Sequence, residues 1–253
     1  MSGHSHFSSI KHKKAITDAR RGKIFSKLAR LISVAAKEGG GDPEANSKLR
    51  LAIEQAKSAN MPKDNVERAI KRGTGELAGE KLEQVTFEAY GPEGIAIIIE
   101  GITNNKNRTL GEIKQTLSQH NGKLAGEGSV KWLFERKGAI TANNKEGTVS
   151  NEELELIVIE AGAEDTYWHT TPEGGEPRQG RDELLDVYTK PEELEKVKKN
   201  LEEKGIEIES ASLDWVAKEM IEVKENDKDT CQKLFEALDE NDAVQDIYSN
   251  LKV

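Results

Sequence analysis

The run "IKHKKAITDARRGKIFSKLAR", residues 10–30, carries eight lysines and arginines and one acid, Asp18. Cations at that density suit one chemistry above others: they neutralise phosphate oxygens and release the counterions of a polyanion. Set on a helix at about 100° per residue, Arg20, Lys23, Lys27 and Arg30 share an arc of roughly 80°. Ile24, Phe25, Leu28, Leu31, Ile32 and Ala35 share another of roughly 120°. One face therefore belongs to a core, and the other is expected to turn a cationic ridge to solvent. Arg21 is the exception and falls in the apolar sector. Upstream, Lys11, His12, Lys13 and Lys14 extend the charge into an arm whose start, "SGHSHFSS", has little to bury. Phe7 in that arm offers a ring for base stacking. A later helical stretch adds Lys63, Arg68, Lys71 and Arg72.

Cations on an exposed helix ordinarily do no more than solvate it, and Lys71 and Arg72 lie where a helix dipole favours them. The first thirty-seven residues differ because Asp18 is their only acid, so the opposite-charge pairs four apart that support solvated helices are forgone. A single-sign stripe joined to a basic arm is the electrostatic footprint of nucleic acid. Attraction to the chain's own acidic body is left open by the sequence. A membrane-surface role is disfavoured, because the apolar residues that lipid would need are required by a helical core.

Other chemistries find no support. "GGGDP" lacks the Gly-Lys-Ser/Thr ending of a phosphate loop, and "GKLAGEGS" lacks the order of a dinucleotide fingerprint. No G-x-S-x-G nucleophile turn occurs. The acid clusters "NEELE" and "PEELE" open helices, where the dipole rewards them. No His or Cys/His spacing closes a zinc site. No catalytic residue, metal or cofactor is expected. The lone cysteine, Cys231, shares a helical face with Leu234, Phe235 and Leu238 and reads as core. A single cysteine also fits a reducing cytoplasm.

The elements that must hold these residues follow from charge and periodicity. Residues 1–75 contain 16 Lys/Arg against 7 Asp/Glu, whereas the remainder contains 21 against 39, within a net charge of -9. A basic front and an acidic body imply different partners, with a protein partner expected for the acidic domains. The front reads as three helices: one over 18–37, a second capped by Asp42 with Pro43 at its first position, and a third opened by Pro62 and ended by Gly73. Strands then alternate with helices. "VTFEAY", "IAIIIE" and "VKWLF" read as strands, as do 220–223 and 244–248, and Thr109-x-x-Glu112 and Ser150-x-x-Glu153 as capping boxes. The expected fold is α+β, with a basic helical domain (1–78) followed by two ferredoxin-like α/β domains. The second of these (137–211) is inserted in the first (79–136 with 212–253).

The run from "GHSHFSSIKHKK" through "DARRGKIFSKL" and "GGGDP" to "KRGTGE" resembles the YebC/PmpR family. The likeness continues in "YGPEGIAIIIE", "GSVKWLFERKGAI" and "VQDIYSNL". That family includes the mitochondrial translational activator of a cytochrome oxidase subunit. The resemblance implies a three-domain cytoplasmic protein, and the missing catalytic motifs make the expectation a non-enzyme. It further implies a DNA-binding regulator of transcription or, alternatively, a ribosome-associated factor that meets rRNA and aids synthesis through proline-rich stretches. A small-molecule sensor is a third reading. The matching basic positions are Lys11, Lys13, Lys14, Arg20, Arg21, Lys23, Lys27 and Arg30. Phe7 departs from the Trp expected in the family, and the segment 166–183 is longer and more aromatic than expected.

Overall fold

The apolar spacing of residues 24–35 makes a helix that needs partners, and it finds two. In the computed structural model, which describes residues 18–144, 150–168 and 183–252, helix α1 (Asp18–Gly39) packs on α2 (Ser47–Ser58) and α3 (Lys63–Thr74). Ile32, Ala35 and Ala36 meet Leu49, Ala52, Ala56, Val66 and Ala69 in a core rich in small side chains. Small residues let backbones approach. A Cβ on Gly73 would stand 2.3 Å from the Ser33 carbonyl oxygen, so Gly73 serves contact between α1 and α3. It does not end the helix. Gly75, at φ 86°, is the left-handed stop.

The second helix opens later than Asp42–Pro43 predicts, because Asn46 is the better cap. Its side chain accepts from the Leu49 amide at 3.1 Å and donates to the Ala35 and Gly40 carbonyls at 2.9 and 2.8 Å. One buried amide thus closes α1 and opens α2, whereas Asp42 serves only the local Glu44 amide.

The chain continues as β1 (Glu83–Tyr90), β2 (Ala96–Thr103), α4 (Lys106–Gln119), β3 (Lys123–Leu124) and β4 (Phe134–Asn144). Next come α5 (Asn151–Ala161), β5 (Asp165–Trp168), β6 (Glu183–Thr189), α6 (Leu194–Glu203) and β7 (Glu207–Ala217). The last elements are α7 (Glu225–Asp239) and β8 (Val244–Ser249). They fall into two compact units, one spanning Glu135–Val216 and the other built from the chain on either side of it. The fold is α+β: three helices, then two four-stranded antiparallel sheets with their helices.

In the unit that holds the three helices, the sheet order is β3-β1-β2-β8. β1 and β2 form its central hairpin, with Phe87 opposite Ile99. Val85, Phe87, Ile97 and Ile99 meet Ile113 and Leu117 of α4 and Cys231, Leu234 and Leu238 of α7. β2 is buried along both faces, as its unbroken apolar run predicts. In the other unit the order is β5-β6-β4-β7, with α5 and α6 as the two crossovers, the split βαβ arrangement. Entry and exit strands β4 and β7 are neighbours, and the Lys218 amide donates to the Leu133 carbonyl at 2.9 Å where they begin and end.

Four local expectations are corrected. Asn105 caps α4 by accepting from the Arg108 amide at 3.1 Å, while Thr109 is buried against Thr103 at 2.8 Å and opens nothing. "VKWLF" is not a strand of the first sheet; 131–133 form a 3-10 turn leading into β4. Residues 220–223 form no strand, and Ile221 bridges only Leu251. Ser150 does cap α5, accepting from Glu153 at 3.2 Å, but α2 lacks the Asp42 cap. Of the segment 166–183, residues 169–182 lie outside the described residues. Among those described, no helix is long and apolar enough to cross a membrane.

Candidate nucleic-acid interface

Lys23, Lys27 and Arg30 are spaced i, i+4 and i+7 on α1, which lines them along one face. That face is turned to the chain's own acids, with Lys27 buried and Lys23 and Arg30 partly so. Lys27 Nζ donates to Asp239 Oδ1 and to the Asp239 carbonyl, both at 2.8 Å, and its side chain is 8% exposed. Lys23 Nζ reaches Glu240 Oε2 at 2.8 Å as well as the Glu240 carbonyl. Arg30 donates to the Asp242 carbonyl. Helix ends explain the arrangement. The last carbonyls of α7 have no donors within their own helix, and the dipole there is negative. α7 carries no base in its last turn yet closes on Asp239, Glu240 and Asp242. Cations from α1 satisfy both carbonyls and carboxylates. The expected solvent-facing ridge is thereby corrected: three of its cations bind the chain's own acidic body.

The other candidates divide differently. Arg20 falls within α1, and Arg21 is exposed one residue later. Lys63 is exposed with Glu67 3.7 Å away. Arg68 turns back on its own helix, bonding the Asp64 carbonyl at 3.2 Å and the Asn65 side chain. Lys71 and Arg72 stand exposed in the last turn of α3, where the dipole favours them. No hydrogen bond or ion pair among the described residues engages either side chain. Lys11, His12, Lys13 and Lys14, with Phe7, lie outside the described residues.

Sequence reasoning missed Asp239, Glu240 and Asp242 as the ridge's partners. A signal was available. "EALDEND" places acids at the C-terminal end of a helix, against the dipole. An acid run in that position calls for cations from elsewhere.

Beside this contact lies a cleft of about 510 Å³ lined by Arg30, Asn104, Arg108, Glu112 and Asn241 among others. Its polar groups are largely paired with one another. Arg108 donates to Asn104 at 2.9 Å, Asn104 to Glu80 at 2.7 Å, and Asn241 to Glu112 at 2.9 Å. Among the described residues, no group of three or more His, Cys, Asp or Glu is arranged to hold a metal ion.

One buried carboxylate organises a loop. Glu88 of β1 accepts from the amides of Gly128, Val130 and Lys131 at 2.6, 2.7 and 2.9 Å. Burial works to raise its pKa, but the three backbone donors and the Lys131 charge outweigh it and hold the carboxyl below its ordinary value. Glu88 is thus a structural anion.

Residues 5–76 match the TACO1/YebC protein N-terminal domain, and residues 82–251 match the TACO1/YebC second and third domain. A protein of Halothermothrix orenii named "Probable transcriptional regulatory protein" is 47% identical over all of this chain and 96% of its own length. One of the same name from Aquifex aeolicus is 48% identical, also over all of this chain and 96% of its own. The crystal structure of a conserved hypothetical protein from Aquifex aeolicus shares the fold, with TM-score 0.84 at 46% identity over 98% of this chain and 97% of that one. With the two domain descriptions matched in order and relatives aligned along its whole length, the chain belongs to the TACO1/YebC family.

Proposed function

We propose that the protein is a non-enzymatic regulator of gene expression that holds nucleic acid with its basic N-terminal part. The observation that carries this reading is the charge division: 16 Lys/Arg against 7 Asp/Glu in residues 1–75 of a chain with net charge -9. It is supported by the regulator names of relatives aligned along the full chain. Since Lys23, Lys27 and Arg30 are occupied internally, the phosphate contacts fall to other cations. These are the arm (Lys11, His12, Lys13, Lys14), Arg20 and Arg21 at the start of α1, and Lys63, Arg68, Lys71 and Arg72 on α3.

Those cations have few base-reading side chains beside them. Asn65 on α3 is already bonded to Arg68. Backbone and shape recognition follow, which duplex DNA and folded RNA both satisfy. The relatives' names favour a transcriptional target; a ribosomal one uses the same electrostatics.

A gel-shift titration on duplex DNA, run beside ribosome co-sedimentation over the same salt series, tests the reading. Four to six neutralised phosphates give a slope of log K against log salt of about -4 to -5. Charge reversal at Lys71 and Arg72 should weaken binding and reduce the slope by about 2. A flat salt response, or binding indifferent to that reversal, refutes it. The tighter of the two targets at equal salt names the physiological one.

A further inference from the structure

Trp132 is 66% exposed, unusual for so large an apolar side chain. In an extended strand, residues 130, 132 and 134 would share one face, and Val130 and Phe134 are both buried. The 3-10 turn at Lys131–Leu133 breaks that alternation and rotates the indole outwards. The turn is held by the Glu88 carboxylate, which binds the Val130 and Lys131 amides.

The exposed ring is fixed in place. Its Nε1 donates to the Ser129 carbonyl at 3.0 Å. Tyr90 donates its hydroxyl to that same carbonyl oxygen at 3.2 Å, so two aromatic side chains converge on one atom. Cations surround them. Lys218 Nζ donates to the Trp132 carbonyl at 2.9 Å, the Lys123 ammonium lies 5.5 Å from the centre of the Tyr90 ring, and Lys131 is exposed next in sequence. Glu127 is the single acid in residues 122–134.

We infer that Trp132, flanked by Tyr90, Lys123, Lys131 and Lys218, is a stacking site for a base of single-stranded nucleic acid. A preset aromatic face takes any base, and the lysines take the flanking phosphates. A protein-docking tryptophan sits instead in a patch depleted of lysine. The site lies outside the basic helices and rests on the nucleic-acid reading above; it adds a single-strand contact to a phosphate contact.

The test is fluorescence anisotropy of a labelled twelve-nucleotide single-stranded RNA, and of a duplex of equal length, titrated with the full chain at low salt. Trp132→Ala should weaken single-strand binding about 5- to 100-fold, from the usual worth of base stacking. It should leave duplex binding within about 2-fold, and Trp132→Phe should restore most of the loss, since a stacking ring remains. Trp132 is exposed, so both variants fold. If Trp132→Ala binds the RNA as the parent does while reversal at Lys71 and Arg72 weakens it, the stacking site is overturned and the proposed function stands. If the parent binds neither nucleic acid, both fall. If Trp132→Ala changes only the oligomeric state in size-exclusion chromatography, the residue serves a protein contact and the inference is overturned.

Discussion

Replacing Lys27 with alanine removes a buried cation of α1 and two bonds of 2.8 Å, one to the Asp239 carboxylate and one to its carbonyl. Hydrogen bonds to charged groups contribute about 1.5–3 kcal/mol each, but Asp239 is 27% exposed and water can reach it once the ammonium is gone. The expected cost is therefore about 2–3 kcal/mol. Asp239→Ala should cost at least as much, because it leaves an ammonium only 8% exposed without its carboxylate. A double-mutant cycle measured by urea unfolding isolates the pair, with an expected coupling of about 1–2 kcal/mol. The same cycle on Lys23 and Glu240, whose carboxylate side chain is 72% exposed, should give at most about 0.5 kcal/mol. Salt at 1 M should erase the second coupling and leave most of the first. A Lys27–Asp239 coupling below about 0.5 kcal/mol would refute the reasoning, since the ridge would then be docked without being held.

Glu88→Gln replaces one acceptor oxygen with an NH2 group that cannot accept from the backbone amide facing it, and should destabilise the protein by about 2–3 kcal/mol at pH 7. Because the folded carboxyl has its pKa lowered, its contribution is present above the unfolded value and lost as pH falls through the folded one. The gap between Glu88→Gln and parent should close on acidification; an equal gap at pH 7 and pH 3.5 contradicts the role. Gly73→Ala meets the Ser33 carbonyl at 2.3 Å and Ala36 Cβ at 2.8 Å, so it should lose about 1–3 kcal/mol despite its better helix propensity. Gly22→Ala, with nothing within 4 Å, should gain up to about 1 kcal/mol, and thermal melts of the two compare them directly. Burial pushes the Cys231 thiol up, reinforced by Asp227 and Glu93, so native protein should resist thiol reagents until denaturant is added; rapid native labelling would place Cys231 outside the core.

Local signals were legible where the physics is local. The apolar spacing that marked α1, the Ser150 cap and the strand composition of β1 all act within a few residues, and each element appears where it was expected. The misses share another cause. Asp42–Pro43 is a sound helix opening in isolation, but Asn46 also ties the end of α1 to the start of α2, and that tertiary bond decides between them. "VKWLF" has strand composition, yet a carboxylate on another strand bends it into a turn. Gly73 reads as a stop until its closeness to Ser33 is known.

For the candidate site the division is the same. Composition alone determined that the chain has a basic front and an acidic body, and helical periodicity placed Lys23, Lys27 and Arg30 on one face. Which anions that face meets is set by residues more than two hundred positions away, at the end of α7. Charge attracts at any sequence separation, so a list of cations cannot distinguish a partner's phosphate from the chain's own carboxylate. Only the folded backbone, by setting Asp239, Glu240 and Asp242 within bonding distance, assigned those three cations inward and left Lys71 and Arg72 exposed.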